Sequence, residues 1–145
     1  MPASISHERA IENLIARYAF LVDDGDFAAL GRLFEDGQLT VNGSEPIVGS
    51  QAVESFAHQA LRTYEDGTPR TRHVTTNLII EVDEGGRRAS SRSYYTVFQA
   101  TTYFPLQPIA CGRYKDQFAL RQDAWAFTSR EVRTELVGDV SRHRG

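Results

Sequence analysis

The sequence has one cysteine, Cys111, and no run of apolar residues long enough to cross a membrane. One thiol cannot form an internal disulfide, and it favours a reducing, cytoplasmic setting. A membrane-spanning helix needs about 18 or more apolar residues in a row. Residues 1–10 also lack the basic and apolar stretches of an export signal. We therefore expect a cytoplasmic protein that neither spans a membrane nor is exported.

An excess of positive charge is missing too, since the net charge is −3 with interspersed signs. Nucleic-acid-binding domains usually carry a basic face, so no nucleic-acid partner is expected. The 4 histidines are scattered, without the Cys or His spacing of a zinc site. Glycine-rich nucleotide loops and the G-x-S-x-G motif of serine hydrolases do not occur either. The sequence thus predicts no metal and no cofactor.

The first part of the chain has the apolar periodicity of helices. A chain of 145 residues, 41% of them hydrophobic, can bury a core without disulfides or a metal. Ser4 or Ser6 is predicted to cap the first helix, and Gly25 to end it in a left-handed conformation. Asp26 is predicted to cap the second. The predicted elements are a first helix with its apolar stripe at 11–22 and its end at 23–26, further helices over 27–34 and 50–61, and a short strand over 39–41.

The second half alternates polar and apolar residues with a period of 2, which indicates strands. The predicted strands are 71–82, 88–103, 110–120 and 124–137. Helices followed by an antiparallel meander are typical of α+β domains, and strands this long usually curl. We predict one α+β domain over 1–145, with its core at about 8–137 and a flexible tail at 138–145. Three N-terminal helices would pack on a strongly curved, mixed or antiparallel sheet and enclose an apolar pocket.

Two residues have a pattern that suggests acid–base chemistry. Asp23 follows directly on the apolar stripe of the first helix, and His73 lies on a polar face of the first long strand with Thr75 and Asn77. A carboxylate that orients an imidazole makes it a general base near neutral pH. The structural alternatives are a solvated turn acid for Asp23 and a hydrogen-bonded strand histidine for His73.

Several segments resemble the SnoaL-like family. The segment 15–27 is similar to the opening motif of that family, 71–77 to its "trHxxtN" strand, 112–116 to its "GxYxD" and 125–130 to its "WxxxxR". The resemblance covers about residues 8–137 in the expected order. It implies the cone-shaped fold shared by nuclear transport factor 2, scytalone dehydratase, bile acid 7α-dehydratase and the β subunits of ring-hydroxylating dioxygenases.

The resemblance also implies roles for three residues. Cofactor-free dehydratases of this superfamily use an Asp/His pair, and Asp23 and His73 match its two positions. Tyr18 has the spacing of a tyrosine that precedes the aspartate by five residues in bile acid dehydratase. Scytalone dehydratase instead has a tyrosine directly before its aspartate, where this chain has Val22, which argues against scytalone as the substrate.

From these observations we predict a cofactor-independent dehydratase or isomerase that acts on a polycyclic, steroid-like or other apolar small molecule. Asp23, His73 and Tyr18 are the predicted catalytic residues. Strand parity and motif position predict Asn77, Tyr95 and Arg130 as pocket walls, with a structural ion pair as the alternative for Arg130. The alternative functions are a small-molecule-binding module and a dioxygenase β-type subunit. A homo-oligomer, either a dimer or a trimer, is expected because the open side of such a sheet usually packs against another copy.

Overall fold

Three helices from the first part of the chain form one layer of the structure, a computed structural model that describes residues 4–145. They are α1 (His7–Asp24), α2 (Phe27–Arg32) and α3 (Ser50–Ala60). Ser6 caps α1, since its side chain accepts a hydrogen bond from the backbone N–H of Arg9 at 3.1 Å. Asp26 caps α2 in the same way through the N–H of Ala29. Both caps agree with the residues predicted for them.

Gly25 fixes the place where α1 ends. Its φ of 73° is left-handed, which an L side chain adopts only at a cost. A Cβ at this position would also lie 2.1 Å from the carbonyl oxygen of Gly67. The helix must therefore end here, and this end places Asp23 in the last turn beside the sheet.

Six strands form the second layer, in the order β2-β1-β6-β5-β4-β3. They are β1 (Gln38–Val41), β2 (Ile47–Val48), β3 (Thr71–Val82), β4 (Arg88–Thr101), β5 (Phe104–Arg121) and β6 (Ala124–Val137). The strand β1 runs parallel to β6, and all other neighbours are antiparallel. The predicted α+β fold with a mixed, curved sheet is confirmed, and the sheet is open at its edges. No helix within residues 4–145 is long and apolar enough to cross a membrane.

The strand β5 begins earlier than predicted. Proline cannot donate to a strand ladder, so the sequence predicts a turn at 105–108 and a strand from 110. In the structure the turn is at 102–103, and β5 starts at Phe104. The pairing of β5 with β4 shifts register before Phe98 and again after Gln99. Such irregularities allow prolines, which cannot donate to the ladder, to lie in this strand.

The last eight residues, here called the C-terminal segment (138–145), pack against the end of α3 and differ from the flexible tail predicted above. The N–H of Gly145 donates to the carbonyl of Ala60 at 3.0 Å, and the N–H of Arg62 donates to the carbonyl of His143 at 2.9 Å. Arg144 forms a β-bridge with Leu61. These bonds pair backbone groups that the end of a helix leaves open, which explains why the segment is ordered.

Candidate active site

Asp23 and His73 are in direct contact. Nδ1 of His73 lies 2.6 Å from Oδ1 of Asp23, and both side chains are about nine-tenths buried. The backbone N–H of His73 donates to Oδ2 of Asp23 at 2.8 Å, and the hydroxyl of Thr71 donates to Oδ1 at 2.8 Å. Three donors thus fix one carboxylate. Because Asp23 accepts the proton on Nδ1, the lone pair of a neutral His73 is on Nε2.

The two residues meet because of how their elements pair. Asp23 is in the last turn of α1, and α1 lies against the start of β3. Thr71 and His73 are two residues apart on β3, so their side chains lie on the same face of the sheet, the face that packs against the helices. The polar pattern of this strand therefore serves to hold the carboxylate.

His73 lies in the wall of a cavity of about 220 Å³ between the helices and the sheet. The wall is mostly apolar, with a few polar groups at separate points, which is the usual character of a small-molecule site. Its aliphatic and aromatic residues include Val22, Leu30, Leu39, Val53, Phe56, Ala57, Leu61, Val97, Val132 and Val140. Its polar side chains come from Tyr18, Asn42, His73, Tyr95, Tyr114, Thr134, His143 and Arg144.

Tyr18 lies in the cavity wall as part of an aromatic cluster. Its ring contacts those of Phe34, Tyr114 and Phe127 edge to face, with centroids 5.9 to 6.3 Å apart. The guanidinium carbon of Arg130 lies 4.3 Å from the centre of the Tyr18 ring. Burial raises the pKa of Tyr18, and the charge of Arg130 opposes this rise. Tyr18 is therefore a neutral phenol, and its side chain lines the cavity.

Tyr95 also lies in the wall, as predicted. Its hydroxyl is 2.9 Å from the hydroxyl of Thr134, and the N–H of Thr134 donates to the side-chain oxygen of Asn42 at 2.7 Å. Burial raises the pKa of Tyr95. The sequence analysis missed Asn42 and Thr134, because their link depends on the parallel pairing of β1 with β6, which has no local sequence signal.

Asn77 does not face the cavity, and its predicted place in the wall is wrong. The register of β3 against β4 shifts between Thr76 and Ile79, and Asn77 is at this bulge with a left-handed φ of 56°. A bulge changes the alternation of side chains. Beyond it Leu78 and Ile80 turn to the core, and Asn77 is exposed on the outer face.

Arg130 is buried away from the cavity wall, so its predicted contact with substrate is also wrong and the structural alternative applies. It is 1% exposed and bonds both carboxylate oxygens of Asp116, at 2.7 and 2.9 Å. Its guanidinium carbon stacks 3.6 Å from the centre of the Tyr114 ring. Burial lowers the pKa of Arg130, but Asp116 outweighs this and raises it overall. The pair supports the aromatic cluster behind Tyr18.

His143 is a further cavity residue that the sequence analysis passed over. Its ring centre lies 6.3 Å from that of His73, although 70 residues separate the two in sequence. No motif or spacing in the sequence points to this contact, because it depends on the C-terminal segment folding back. Within residues 4–145 no cluster of three or more His, Cys, Asp or Glu side chains could hold a metal ion.

Comparisons with known proteins agree on the domain type. A family model described as a SnoaL-like domain matches residues 3–131. A Mycobacterium tuberculosis protein of unknown function is 28% identical, with a TM-score of 0.73, and the match covers 89% of this chain and 72% of that chain. A candidate scytalone dehydratase from Novosphingobium aromaticivorans is 24% identical over 91% and 86% of the two chains, with a TM-score of 0.71.

A candidate aromatic ring hydroxylase, also from Novosphingobium aromaticivorans, has a TM-score of 0.73 at 22% identity. That match covers 97% of this chain and 99% of that chain. The search of curated proteins found no match. Likeness at these levels of identity establishes the fold, which hosts many unrelated functions. Function must therefore be argued from the cavity.

Proposed function

Because the chain belongs to the SnoaL-like domain family, we propose that it is a cofactor-independent lyase or isomerase with His73 as its general base. The observation that carries this proposal is the 2.6 Å contact between Asp23 and His73 at the wall of an apolar cavity. A buried imidazole with one nitrogen held by a carboxylate and the other free is arranged to accept a proton. A binding module has no need of that arrangement.

In the proposed reaction, Nε2 of His73 removes a proton from a carbon next to a carbonyl group. The electrons of the C–H bond move toward the carbonyl oxygen and give an enolate. In an elimination these electrons return to form a C=C bond, a hydroxyl on the next carbon leaves, and the proton held by His73 converts it to water. In an isomerisation His73 returns the proton to a different carbon.

The other two predicted catalytic residues support this step. Asp23 holds the orientation of the His73 ring and stabilises the positive charge that the ring gains. Tyr18 donates a hydrogen bond to the developing oxyanion or to the departing hydroxyl. Donors that are already in position inside a dry cavity stabilise such charge more than water does. The apolar wall around Tyr18 provides this environment.

The size of the cavity limits the size of the substrate. Sites for drug-sized ligands enclose roughly 300 to 1,000 Å³, whereas this cavity encloses about 220 Å³. We propose a substrate with one or two rings, which is smaller than a four-ring steroid.

A dioxygenase β-type subunit is the weaker alternative. Such a subunit acts by assembly and needs no open cavity with an ordered Asp/His pair. The candidate ring hydroxylase among the similar structures is the one observation in its favour. Purification of the chain with and without a ring-hydroxylating α subunit would detect this assembly.

The proposed function can be tested by a ligand screen followed by mutation. A ligand that binds only the folded state raises the melting temperature, so one- and two-ring β-hydroxy ketones are first screened for thermal stabilisation. Turnover of the compounds that bind is then followed by the absorbance of the conjugated product. His73→Ala and Asp23→Asn are each expected to lower kcat by roughly 10²- to 10⁴-fold.

The double variant distinguishes a catalytic pair from two independent defects. If Asp23 acts through His73, His73→Ala with Asp23→Asn is hardly worse than the poorer single variant. His58→Ala is the matched control, because His58 is an exposed helix residue outside the cavity wall. Full turnover in His73→Ala would refute the proposed role of this histidine.

A further inference from the structure

The C-terminal segment forms part of the cavity wall and is held there by bonds to three parts of the fold. Besides its bonds to the end of α3, the carbonyl of Arg142 accepts hydrogen bonds from the side chains of Gln99 and Tyr64. Gln99 is 1% exposed and also donates to the carbonyl of Pro69. A buried amide that joins two carbonyls fixes the position of the next residue, His143.

His143 faces the same cavity as His73, and its ring Nδ1 has no hydrogen-bond partner among the described residues. The two rings are tilted by 54°, with centres 6.3 Å apart. Nδ1 of His143 is shielded from solvent and has no hydrogen-bond partner, whereas Nε2 is not one of the shielded, unpaired atoms. An unpaired buried donor is rarer in proteins than an unpaired acceptor. This favours the tautomer with its proton on Nε2, which leaves the lone pair on Nδ1.

The surroundings of His143 also favour its neutral form. Burial lowers the pKa of His143 to about 4, and the nearby His73 and Arg144 act in the same direction while Asp23 opposes them. At neutral pH the ring is therefore uncharged. A neutral imidazole has one N–H and can donate one hydrogen bond. Because it carries no charge, it does not repel the positive charge that Asp23 stabilises on His73.

We propose that His143 is a catalytic residue that donates a hydrogen bond from Nε2 to the carbonyl oxygen of the substrate. This inference rests on the proposed function, in which His73 takes the proton from the carbon next to that carbonyl. The two rings line the same cavity with their centres 6.3 Å apart, so one small substrate can reach both. A reacting atom lies about 3 to 3.5 Å from its base, and a hydrogen-bonded oxygen lies about 2.6 to 3.2 Å from its donor.

The inference specifies the substrate class of the cavity. The acidic C–H and the carbonyl oxygen must be on adjacent carbons, so that one group reaches His73 while the other reaches His143. This condition is met by a ketone with one or two rings that has a hydrogen on the carbon next to its carbonyl group. It is not met by an alkyl halide or an isolated alcohol, which offer no carbonyl oxygen to His143.

A binding experiment tests the donor without requiring turnover. The probe is 2-naphthol, a two-ring molecule whose C–OH group resembles the enol form of the reaction intermediate, so that its oxygen takes the place of the substrate's carbonyl oxygen. Naphthalene is the matched compound without oxygen. Affinities are measured by fluorescence titration for the wild-type protein, His143→Leu, His143→Gln and the control His58→Leu. Melting temperatures establish that each variant is folded.

We expect His143→Leu to weaken 2-naphthol binding about 5- to 10-fold, the value of one hydrogen bond, and to leave naphthalene binding unchanged. His143→Gln keeps an N–H donor and should retain most of the affinity. An equal loss for both compounds would show that His143 only packs, and this would overturn the inference. An unchanged affinity for 2-naphthol in His143→Leu, or no binding of 2-naphthol to the wild-type protein, would overturn it as well.

Turnover separates this inference from the proposed function. If His73→Ala abolishes turnover and the affinities of His143→Leu do not change, the function stands and the role of His143 is refuted. If no carbonyl compound is turned over but the loss in His143→Leu is specific to 2-naphthol, the reaction is refuted and the hydrogen-bond donor stands.

Discussion

The carboxylate of Asp23 accepts three hydrogen bonds, which occupy both of its oxygens. The donors are the ring and the backbone N–H of His73 and the hydroxyl of Thr71. With both oxygens engaged, Asp23 is a positioning residue for His73 and has little capacity left to bind a substrate. A buried aspartate with fewer donors would be free to do so.

Arg130 belongs to a motif of the family but has a structural role and does not line the cavity. A charge inside a core is costly unless it is paired and hydrogen-bonded. Asp116 and the ring of Tyr114 satisfy most of the needs of this guanidinium, although its Nη1 has no partner among the described residues. The arginine of the "WxxxxR" segment therefore supports the cavity from behind.

The half-buried His143 should make the stability of the protein depend on pH. Its pKa is lowered from 6.5 to about 4, so the unfolded chain takes up this proton at a higher pH than the folded protein does. The resulting stabilisation is complete above about pH 6.5 and is lost as the pH falls toward 4. For a partly exposed ring we expect a loss of about 1 to 3 kcal/mol in the free energy of unfolding.

Urea unfolding at pH 4.5 and pH 7.5 measures this effect. The difference in unfolding free energy between the two pH values should be smaller in His143→Leu than in the wild-type protein. His58→Leu is the control, since it removes an exposed histidine. An identical pH dependence in His143→Leu and the wild-type protein would contradict the prediction.

At the scale of elements, the bulge in β3 decides which residues reach the cavity. It lies after His73, so the contact with Asp23 precedes the shift of register. Beyond the bulge, the side chains of Leu78 and Ile80 pack against the core. Without the bulge, the alternation of side chains along β3 would direct Asn77 to this face instead. One inserted residue thus separates the part of the strand that contacts Asp23 from the part that packs in the core.

The left-handed conformation of Asn77 predicts a specific response to mutation. A β-branched residue is strained at a φ of 56°, so Asn77→Val should lower the free energy of unfolding by about 1 to 2 kcal/mol. Asn77→Gly should be tolerated, because glycine adopts this conformation readily. Thr76→Val, on the exposed face of the same strand, is the control. Equal losses in Asn77→Val and Thr76→Val in urea unfolding would argue against strain at the bulge.

For the whole molecule, the outer face of the sheet is the surface on which we propose self-association. A row of paired residues crosses this face from β3 to β6: Val74, Thr96, Cys111 and Leu136. Val74 is 40% exposed and Leu136 is 68% exposed. Exposed apolar patches on a sheet often mark protein contacts. We propose that a second copy covers this row, in a dimer or a trimer.

Light scattering tests this proposal. Leu136→Glu should convert the oligomer to a monomer, because an unpaired charge cannot be buried in an apolar contact. Phe20→Glu is the matched control, since Phe20 is also 68% exposed but lies on α1, away from the sheet face. A wild-type protein that is monomeric at all concentrations would refute the proposal.

The sequence by itself determined the features that depend on neighbouring residues. Apolar spacing located the three helices and the long strands, because periods of 3.6 and 2 follow from backbone geometry. Ser6, Gly25 and Asp26 predicted where helices begin and end, since capping is a local bond. Motif resemblance then singled out Asp23 and His73 as a pair.

Only the tertiary structure decided the features that depend on register and on distant parts of the chain. The bulge at Asn77 follows from the pairing of β3 with β4, and the enclosure of Arg130 from its place opposite Asp116. The position of His143 follows from the return of the C-terminal segment to the end of α3. Each of these contacts is between residues far apart in sequence. A local pattern has no information about such pairings, because they form only when the whole sheet and its helices pack together.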